Sequence, residues 1–318
     1  MIATLQSLRF FFILLIFMSH FAYGGIPALD AGGDCGVAFF FVLSGFVTSF
    51  GYADRLRSGA FSYGRFLKRR LSKLYPLHLL CLAVWLVMAG LPLGLPVLLN
   101  ALLLQSWVPL ADYYFSCNAV SWFLSDLLLC YLLFPWLFRH LSRRWLVVVA
   151  VAYALLAIFL PESQVNAVLY VNPLVRLVDF VWGMALFRLY ESQPSFRFSS
   201  ATEWLMVVLV LAALAAYPWL PAKLRTASFY WLVILPAIWV FARGGGVVSR
   251  FLCSRWLQWL AALAMPVFLI HKMVIDVLVP RLFPLPYVPA LVLTLAATLL
   301  VAWLVEHYLL SRCNITRQ

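Results

Sequence analysis

The chain has 318 residues, of which 65% are hydrophobic and 11% are charged, and its formal net charge is +12. A single soluble core stops growing at about 250–300 residues, so this much apolar surface excludes a soluble globular domain. Apolar runs of about 17 or more residues recur along the chain, and each is long enough to cross ~30 Å of hydrocarbon as a helix. Because an α-helix satisfies its own backbone hydrogen bonds in lipid, we predict an all-α polytopic membrane protein.

The positive charge is concentrated in clusters between the apolar runs. In a soluble protein it would suggest a nucleic-acid partner, but in membrane proteins short loops rich in Lys and Arg stay in the cytoplasm. The pattern therefore argues against nucleic acid, predicts contact with the lipid bilayer and places the N-terminus in the cytoplasm. The clusters are Arg9, the stretch 55–73, Arg139 with Arg143 and Arg144, Arg188 with Arg197, Arg243 with Arg250 and Arg255, and Arg312 with Arg317.

About ten transmembrane helices are predicted, and this even number returns the C-terminus to the cytoplasm. They form one membrane domain over residues 1–318, with no separate soluble domain. The segment 95–108 is short and bracketed by prolines, so we predict a re-entrant or interfacial piece there. The predicted spans are about 7–23, 34–52, 74–91, 118–138, 145–160, 172–190, 203–220, 227–242, 257–279 and 287–309.

The cysteine spacing and the N-terminal segment bear on metal or disulfide sites and on cleavage of a signal peptide. No cysteine spacing is typical of a metal site, so we predict neither a metal nor a disulfide framework. The first apolar run is similar to a secretory signal, but its histidine and the spans that follow favour an uncleaved first helix. The cysteines are Cys35, Cys81, Cys117, Cys130, Cys253 and Cys313.

The first apolar run, RFFFILLIFMSH, begins at Arg9 and ends at His20. Eleven residues of helix separate the two side chains by ~16 Å, which places His20 at or beyond mid-membrane. An ionisable residue at that depth costs about 2.5–3.5 kcal/mol and is a functional candidate by default. An imidazole suits proton exchange near neutral pH. The alternative is a histidine bonded to a neighbouring carbonyl near the outer interface.

Two further stretches allow both a structural and a functional interpretation. In GVAFFFVLSGF (36–46), Ser44 and Gly45 belong either to a helix-packing seam or to the wall of a narrow substrate channel. In FLKRRLSKLYPLH (66–78), the basic residues lie where a helix enters the membrane from the cytoplasm. They act either as ordinary anchors at lipid headgroups or as a phosphate clamp.

These three stretches, in this order, resemble the acyltransferase-3 family of bacterial integral-membrane O-acyltransferases. The resemblance is carried by Arg9 with His20, by the Phe-Phe-x-x-Ser-Gly run ending at Gly45, and by Arg70 before Tyr75-Pro76. Each motif alone is weak, but the ordered set covers nearly the whole chain. The downstream stretches that agree are QSW (105–107), NAVSWFLSDLLLCYLLFP (118–135), NPLVRLVDFVWGM (172–184), PVFLIH (266–271) and VEHYL (305–309).

The resemblance implies an inner-membrane enzyme that moves an acyl group, usually acetyl, from cytoplasmic acyl-CoA to a carbohydrate hydroxyl. Acyl-CoA would be the donor substrate, with no bound cofactor, and the acceptor would be O-antigen, exopolysaccharide or another glycan. His20 corresponds to the catalytic histidine and Arg9 to its basic partner. Arg70 corresponds to the arginine of the family's arginine motif.

The chain departs from the family pattern at three places. The arginine motif ends in Lys73, which keeps the charge but loses the bidentate fork. Many members have a carboxylate where this chain has Ala38, and the nearest one here is Asp34. Most members have a glutamate where this chain has Leu127, whereas here Asp126 precedes it, about 100° around the helix.

These residues suggest a mechanism. The basic mouth, including Arg69, Arg70 and Lys73, would hold the CoA phosphates, and the pantetheine arm would pass Ser44 and Gly45. His20 would act as general base or accept the acyl group itself, and the sequence does not separate these routes. The carboxylate that would orient His20 is Asp34 or Asp126.

Other intramembrane polar residues and one other functional class stay open. Arg176 and Asp179 have the spacing of a local ion pair. His271, Lys272 and Asp276 form either a structural group or a substrate contact. A glycolipid or polysaccharide transporter or flippase would also carry ionisable residues in its spans, but we find no inverted repeat.

Overall fold

The computed structural model describes residues 2–310, which are helical apart from loops and one isolated β-bridge between Tyr23 and Ile26. Short 3-10 or π-helical turns cover Gln105–Trp107, Ala119–Ser121, Glu162–Gln164, Asn166–Tyr170, Tyr217–Trp219 and Glu306–Leu310. Within this range the α-helices are α1 Ala3–His20, α2 Asp30–Arg57, α3 Tyr63–Met88, α4 Leu95–Ala101, α5 Ala111–Tyr114, α6 Trp122–His140, α7 Arg143–Phe159, α8 Pro173–Ser192, α9 Ser200–Ala215, α10 Ala222–Arg225, α11 Ser228–Arg243, α12 Val247–Leu252, α13 Arg255–Ala262, α14 Ala264–Leu282 and α15 Tyr287–Val305.

The all-α membrane class is confirmed. In the described range, six helical stretches are long and apolar enough to cross a membrane, and two bent pairs raise the number to eight if each pair is one span. The remaining predicted spans coincide with α7 and α9, which have 17 and 16 residues. The count of ten and the sidedness of the termini stay predictions, and Arg312, Cys313 and Arg317 lie outside the described residues.

Helix α2 lies at the centre of the bundle and packs closely on α1 and α8. Gly45 of α2 and Gly183 of α8 face each other at the crossing, and a Cβ on Gly45 would collide with the carbonyl oxygen of Phe180. A Cβ on Gly36 would collide with the Ile16 side chain of α1 and would lie 3.0 Å from the Phe12 carbonyl oxygen. In lipid there is little hydrophobic force between helices, so close backbone approach of this kind supplies the packing energy. Gly45 therefore belongs to a helix-packing seam, which is one of the two alternatives that the sequence left open for it.

The start of α8 is fixed by a buried ion pair. Asn172 caps the helix by accepting from the backbone N–H of Leu174 at 3.0 Å, and the preceding turn meets α8 at 55°. Arg176 donates from Nη1 to Asp179 at 2.8 Å and from Nη2 to the Thr226 carbonyl at 3.1 Å. Its Nε donates to the Tyr170 carbonyl at 2.6 Å. A buried charge needs this full set of partners, so the pair predicted from spacing is structural.

The segment 95–121 consists of short helical turns that do not form a span. Its buried side chains hydrogen-bond to one another: Asn100 donates to Ser116 at 2.7 Å and accepts from Ser121 at 3.0 Å. Gln105 donates to Ser121 at 3.1 Å. Irregular backbone at membrane depth is tolerated where protein supplies its partners, and this network supplies them here.

Candidate active site

His20 is the last residue of α1 and is half-buried. Its ring folds back along the helix, so that Nδ1 lies 2.9 Å from the carbonyl oxygen of Ile16. The hydroxyl of Ser19 lies 3.5 Å from the same nitrogen. Nδ1 therefore faces neighbouring groups of the protein, which leaves Nε2 as the ring nitrogen for chemistry.

His271 of α14 provides the other contact to His20. Its Nε2 lies 3.3 Å from Nδ1 of His20, and the two rings meet edge to face with centroids 5.0 Å apart. His271 is fully buried, and its own Nδ1 lies 3.0 Å from the Val267 carbonyl and 2.8 Å from the Phe268 carbonyl. The sequence left His271 open between a structural and a substrate role, because nothing in its local spacing indicates a partner 251 positions away.

Asp34 and Asp126 do not contact His20. Within residues 2–310 neither carboxylate makes a hydrogen bond or an ion pair with the ring, so the expected orientation of His20 by one of them is not what the structure shows. The charged groups within electrostatic reach of His20 are instead Lys272, Asp276 and Asp30.

Helix geometry explains the position of Asp34. A Cβ on Gly32 or Gly36 would collide with α1, so these two glycines mark the face of α2 that packs there. Asp34 is two residues from each, about 200° around the helix, and so points away from α1. The charged groups within its reach include Arg176 and Arg225.

Asp126 lies on α6 and is fully buried. It sits beside Ser106 of the segment 95–121, within electrostatic reach of Arg176 and Asp179. Asp126 therefore belongs to the surroundings of the structural ion pair of α8.

Arg9, in the half of α1 away from His20, lies within electrostatic reach of Arg70 of α3. Each lies within electrostatic reach of Tyr131 of α6, and Arg70 is also among the charges that act on Arg9. Arg9 donates to Gln6 at 3.1 Å, and Arg70 donates from Nη2 to the hydroxyl of Thr48 at 3.1 Å. No carboxylate of the described residues forms an ion pair with either arginine.

The guanidinium group of Arg70 is held between aromatic rings. Its Cζ lies 5.4 Å from the ring centroid of Tyr52, 5.6 Å from that of Phe66 and 5.3 Å from that of Tyr131. Its Nε is buried without a hydrogen-bond partner. A guanidinium has five N–H donors, and the hydrogen bond to Thr48 uses one of them, so Arg70 keeps unused donor capacity for a ligand rich in oxygen atoms. We name Arg9, Arg70, Thr48 and Tyr131 the arginine cluster.

The remaining predicted donor-binding residues divide into two groups. Ser44 lies on α2 one helical turn before Thr48 and beside Tyr131, so it faces the arginine cluster. Arg69 and Lys73 are exposed on α3. Gly45 faces α8, as described above.

The site thus has two levels, the arginine cluster and the His20–His271 pair. They are joined by α1, along which Arg9 and His20 are separated by ~16 Å. Cys35, Cys81, Cys117, Cys130 and Cys253 are free. In the described part of the chain, no group of three His, Cys, Asp or Glu side chains is arranged to hold a metal ion.

Comparison with known proteins adds a family match. A family model described as an acyltransferase domain, of the acyltransferase-3 type, matches residues 2–307. The chain is 28% identical over 225 residues to "Acyltransferase MdmB" of Streptomyces mycarofaciens, and the matched region covers 58% of this chain and 56% of that protein. It is 48% identical over 48 residues to "Protein 2 in picA locus" of Rhizobium radiobacter, and this matched region covers 15% of this chain and 25% of that protein. The chain therefore spans about half or less of the length of these relatives, and no solved structure matches it significantly.

Proposed function

Because this chain belongs to the acyltransferase-3 family and is a membrane acyltransferase, we propose that it transfers an acyl group, most simply acetyl, from cytoplasmic acyl-CoA to a carbohydrate hydroxyl. The acceptor is a cell-surface or lipid-linked glycan, and the enzyme works in the bacterial inner membrane as one domain over residues 1–318. Membership of an acyltransferase family does not favour the transporter alternative.

The observation that carries this proposal is the two-level site. Acyl-CoA carries its negative charge at one end and its thioester at the other. Its binding site therefore needs an anion site and a base that are separated by about the length of the pantetheine arm. The arginine cluster and His20 meet this requirement, since an extended pantetheine arm spans on the order of 15–20 Å and the two levels are ~16 Å apart along α1.

The arginine cluster would receive the phosphate groups of the donor. Two guanidinium groups without a carboxylate partner form a local excess of positive charge, which an anion neutralises. Arg9 is thereby assigned to donor binding, because it lies within electrostatic reach of Arg70 and is separated from His20 by about the length of the pantetheine arm. The exposed Arg69 and Lys73 would add longer-range attraction at the cytoplasmic mouth.

The Lys272–Asp276 ion pair supports an approach from the outer side. Its side chains are 29% and 55% exposed although both lie within α14, and an exposed ion pair inside a span is costly against lipid. A water-filled entrance at this pair would offer a polar route to His20, and hydroxyl groups of a sugar can bond to both charges.

The chemical step needs one proton acceptor at His20. Nε2 takes the proton of the acceptor hydroxyl as that oxygen attacks the thioester carbonyl. The carbon–sulfur bond breaks, its electron pair stays on sulfur, and the proton passes from Nε2 to the CoA thiolate. An ester and free CoA result, and His20 ends unchanged.

Membrane vesicles test this proposal with labelled acetyl-CoA and a panel of glycans. We expect transfer in inverted vesicles, whose outer surface is the cytoplasmic face, when acetyl-CoA is added outside and the glycans are enclosed in the lumen. His20→Ala should lose activity roughly 10²–10⁴-fold. His140→Ala removes an exposed histidine stacked on Trp136 and should retain activity. No acetylated acceptor and no consumed thioester with the unaltered chain would contradict the enzymatic proposal, whereas equal transfer by His20→Ala would contradict only the role of His20.

A further inference from the structure

The hydrogen-bond geometry of the two histidines determines which nitrogen carries each proton. Nδ1 of His271 faces two backbone carbonyls at 3.0 and 2.8 Å, and a carbonyl oxygen only accepts. Nδ1 must therefore be protonated. In a neutral ring the other nitrogen, Nε2 of His271, is then a hydrogen-bond acceptor.

The same reasoning applies to His20. Its Nδ1 lies 2.9 Å from the Ile16 carbonyl, so a lone pair there would face another lone pair. Nδ1 must carry the proton, which it shares between the Ile16 carbonyl and Nε2 of His271 at 3.3 Å. Nε2 of His20 then keeps its lone pair for the acceptor hydroxyl.

We propose that His271 is a positioning residue that holds His20 in the Nδ1–H tautomer and stabilises the imidazolium formed when Nε2 takes the acceptor's proton. This inference rests on the proposed function. The positive charge is delocalised over both nitrogens of His20, so the bond from Nδ1–H to His271 becomes charge-assisted at the moment it is needed.

The surroundings explain why an imidazole, in place of a carboxylate, supports His20. The ring of His271 lies 6.3 Å from that of Phe17 and 6.2 Å from that of Phe268, centroid to centroid. An ionised carboxylate in this apolar contact would carry a large desolvation cost before any substrate arrives. A neutral acceptor anchored by two carbonyls supports the transient cation without that cost.

The test uses the full-length protein in lipid nanodiscs, labelled with ¹⁵N at its five histidines. ¹⁵N chemical shifts distinguish the Nδ1–H from the Nε2–H tautomer, and His20→Gln identifies the His20 signals by their loss. We expect the unaltered protein to show His20 only as Nδ1–H. His271→Leu removes the acceptor and should add an Nε2–H population, whereas His271→Gln keeps an acceptor at the position of Nε2 and should restore the single tautomer.

Kinetics with acetyl-CoA and release of the CoA thiol provide the second measurement. We expect kcat to fall roughly 10–100-fold in His271→Leu, less than on loss of the base itself because the Ile16 carbonyl remains. KM for acetyl-CoA should not change, and His271→Gln should recover most of kcat. His78→Gln is the matched control, since it replaces another buried imidazole, bonded to the Asn100 carbonyl, and should leave kcat unchanged.

Two results would overturn the inference. One is an unaltered protein with His20 as Nε2–H, and the other is a His271→Leu variant that keeps both the tautomer and kcat. The NMR result does not depend on turnover. A protein that shows the expected tautomers but never consumes acetyl-CoA would refute the proposed function while the His20–His271 bond stands.

Discussion

Replacing Arg70 by methionine removes one of the two guanidinium groups of the arginine cluster while keeping a long apolar side chain between the aromatic rings. Arg70 uses one Nη2 donor on Thr48, which leaves its other terminal N–H groups as candidate donors to a phosphate group. A hydrogen bond to a charged group contributes about 1.5–3 kcal/mol. We therefore expect acyl-CoA binding to weaken by at least one such bond, roughly 10–150-fold in Kd.

The assay is calorimetric titration of the purified protein with acetyl-CoA in the absence of an acceptor, so that binding is separated from turnover. Arg69→Met is the matched control, because Arg69 is the adjacent arginine on α3 but is exposed. Its loss of affinity should be smaller than that of Arg70→Met, because an exposed charge at the mouth adds only screened, longer-range attraction. Arg70→Lys keeps the charge without the bidentate fork, so its Kd for acetyl-CoA should lie between those of Arg69→Met and Arg70→Met.

The affinities of Arg9→Met, Arg70→Met and the double variant together test whether the two arginines act on the same ligand groups. If both arginines hold the same phosphate groups, the double variant should lose less than the sum of the two single losses. Unchanged affinity in Arg70→Met, or an equal loss in Arg69→Met, would refute the assignment of the donor phosphates to the arginine cluster.

Two further predictions concern the scaffold that positions the site. Gly45→Ala pushes a methyl group into the backbone of α8 and should destabilise the protein by about 1–3 kcal/mol, measured as a lower Tm in detergent micelles. Gly51→Ala, in the same helix but with no atom within 4 Å of its added Cβ, should not lower Tm; an equal drop in both variants would contradict the crossing argument. Asp179→Ala leaves Arg176 buried without its carboxylate and should cost about 3–5 kcal/mol. Joint replacement by Arg176→Met and Asp179→Leu should recover most of that loss, and a double variant as unstable as Asp179→Ala would show that the helix start depends on the charges themselves.

Some features of the site were predictable from single positions because they depend on local geometry. The rise of an α-helix sets the ~16 Å between Arg9 and His20 whatever surrounds them. The spacing of Arg176 and Asp179 likewise makes an ion pair on one helix face. The membrane class follows from composition, since lipid requires each apolar run to satisfy its own backbone.

The carboxylates show where such reasoning ends. Asp34 and Asp126 were expected near His20 because they are the acidic residues closest to family positions. Which side of α2 faces α1 depends on the close approach at Gly32 and Gly36, and this rotates Asp34 away. A helical wheel gives the angle between two residues but not the direction in which either one points.

The sequence by itself determined that this protein is an all-α membrane protein, that it resembles the acyltransferase-3 family, and that a histidine lies far along its first helix from an arginine. Only the tertiary structure decided the partners of those two residues. Arg9 lies within electrostatic reach of Arg70 from α3, and His20 contacts His271 from α14. These pairs are too far apart in the chain for any helical periodicity to predict them. The physical reason is that hydrogen bonds and charges act over a few ångströms in space, whereas sequence spacing measures distance only within one helix.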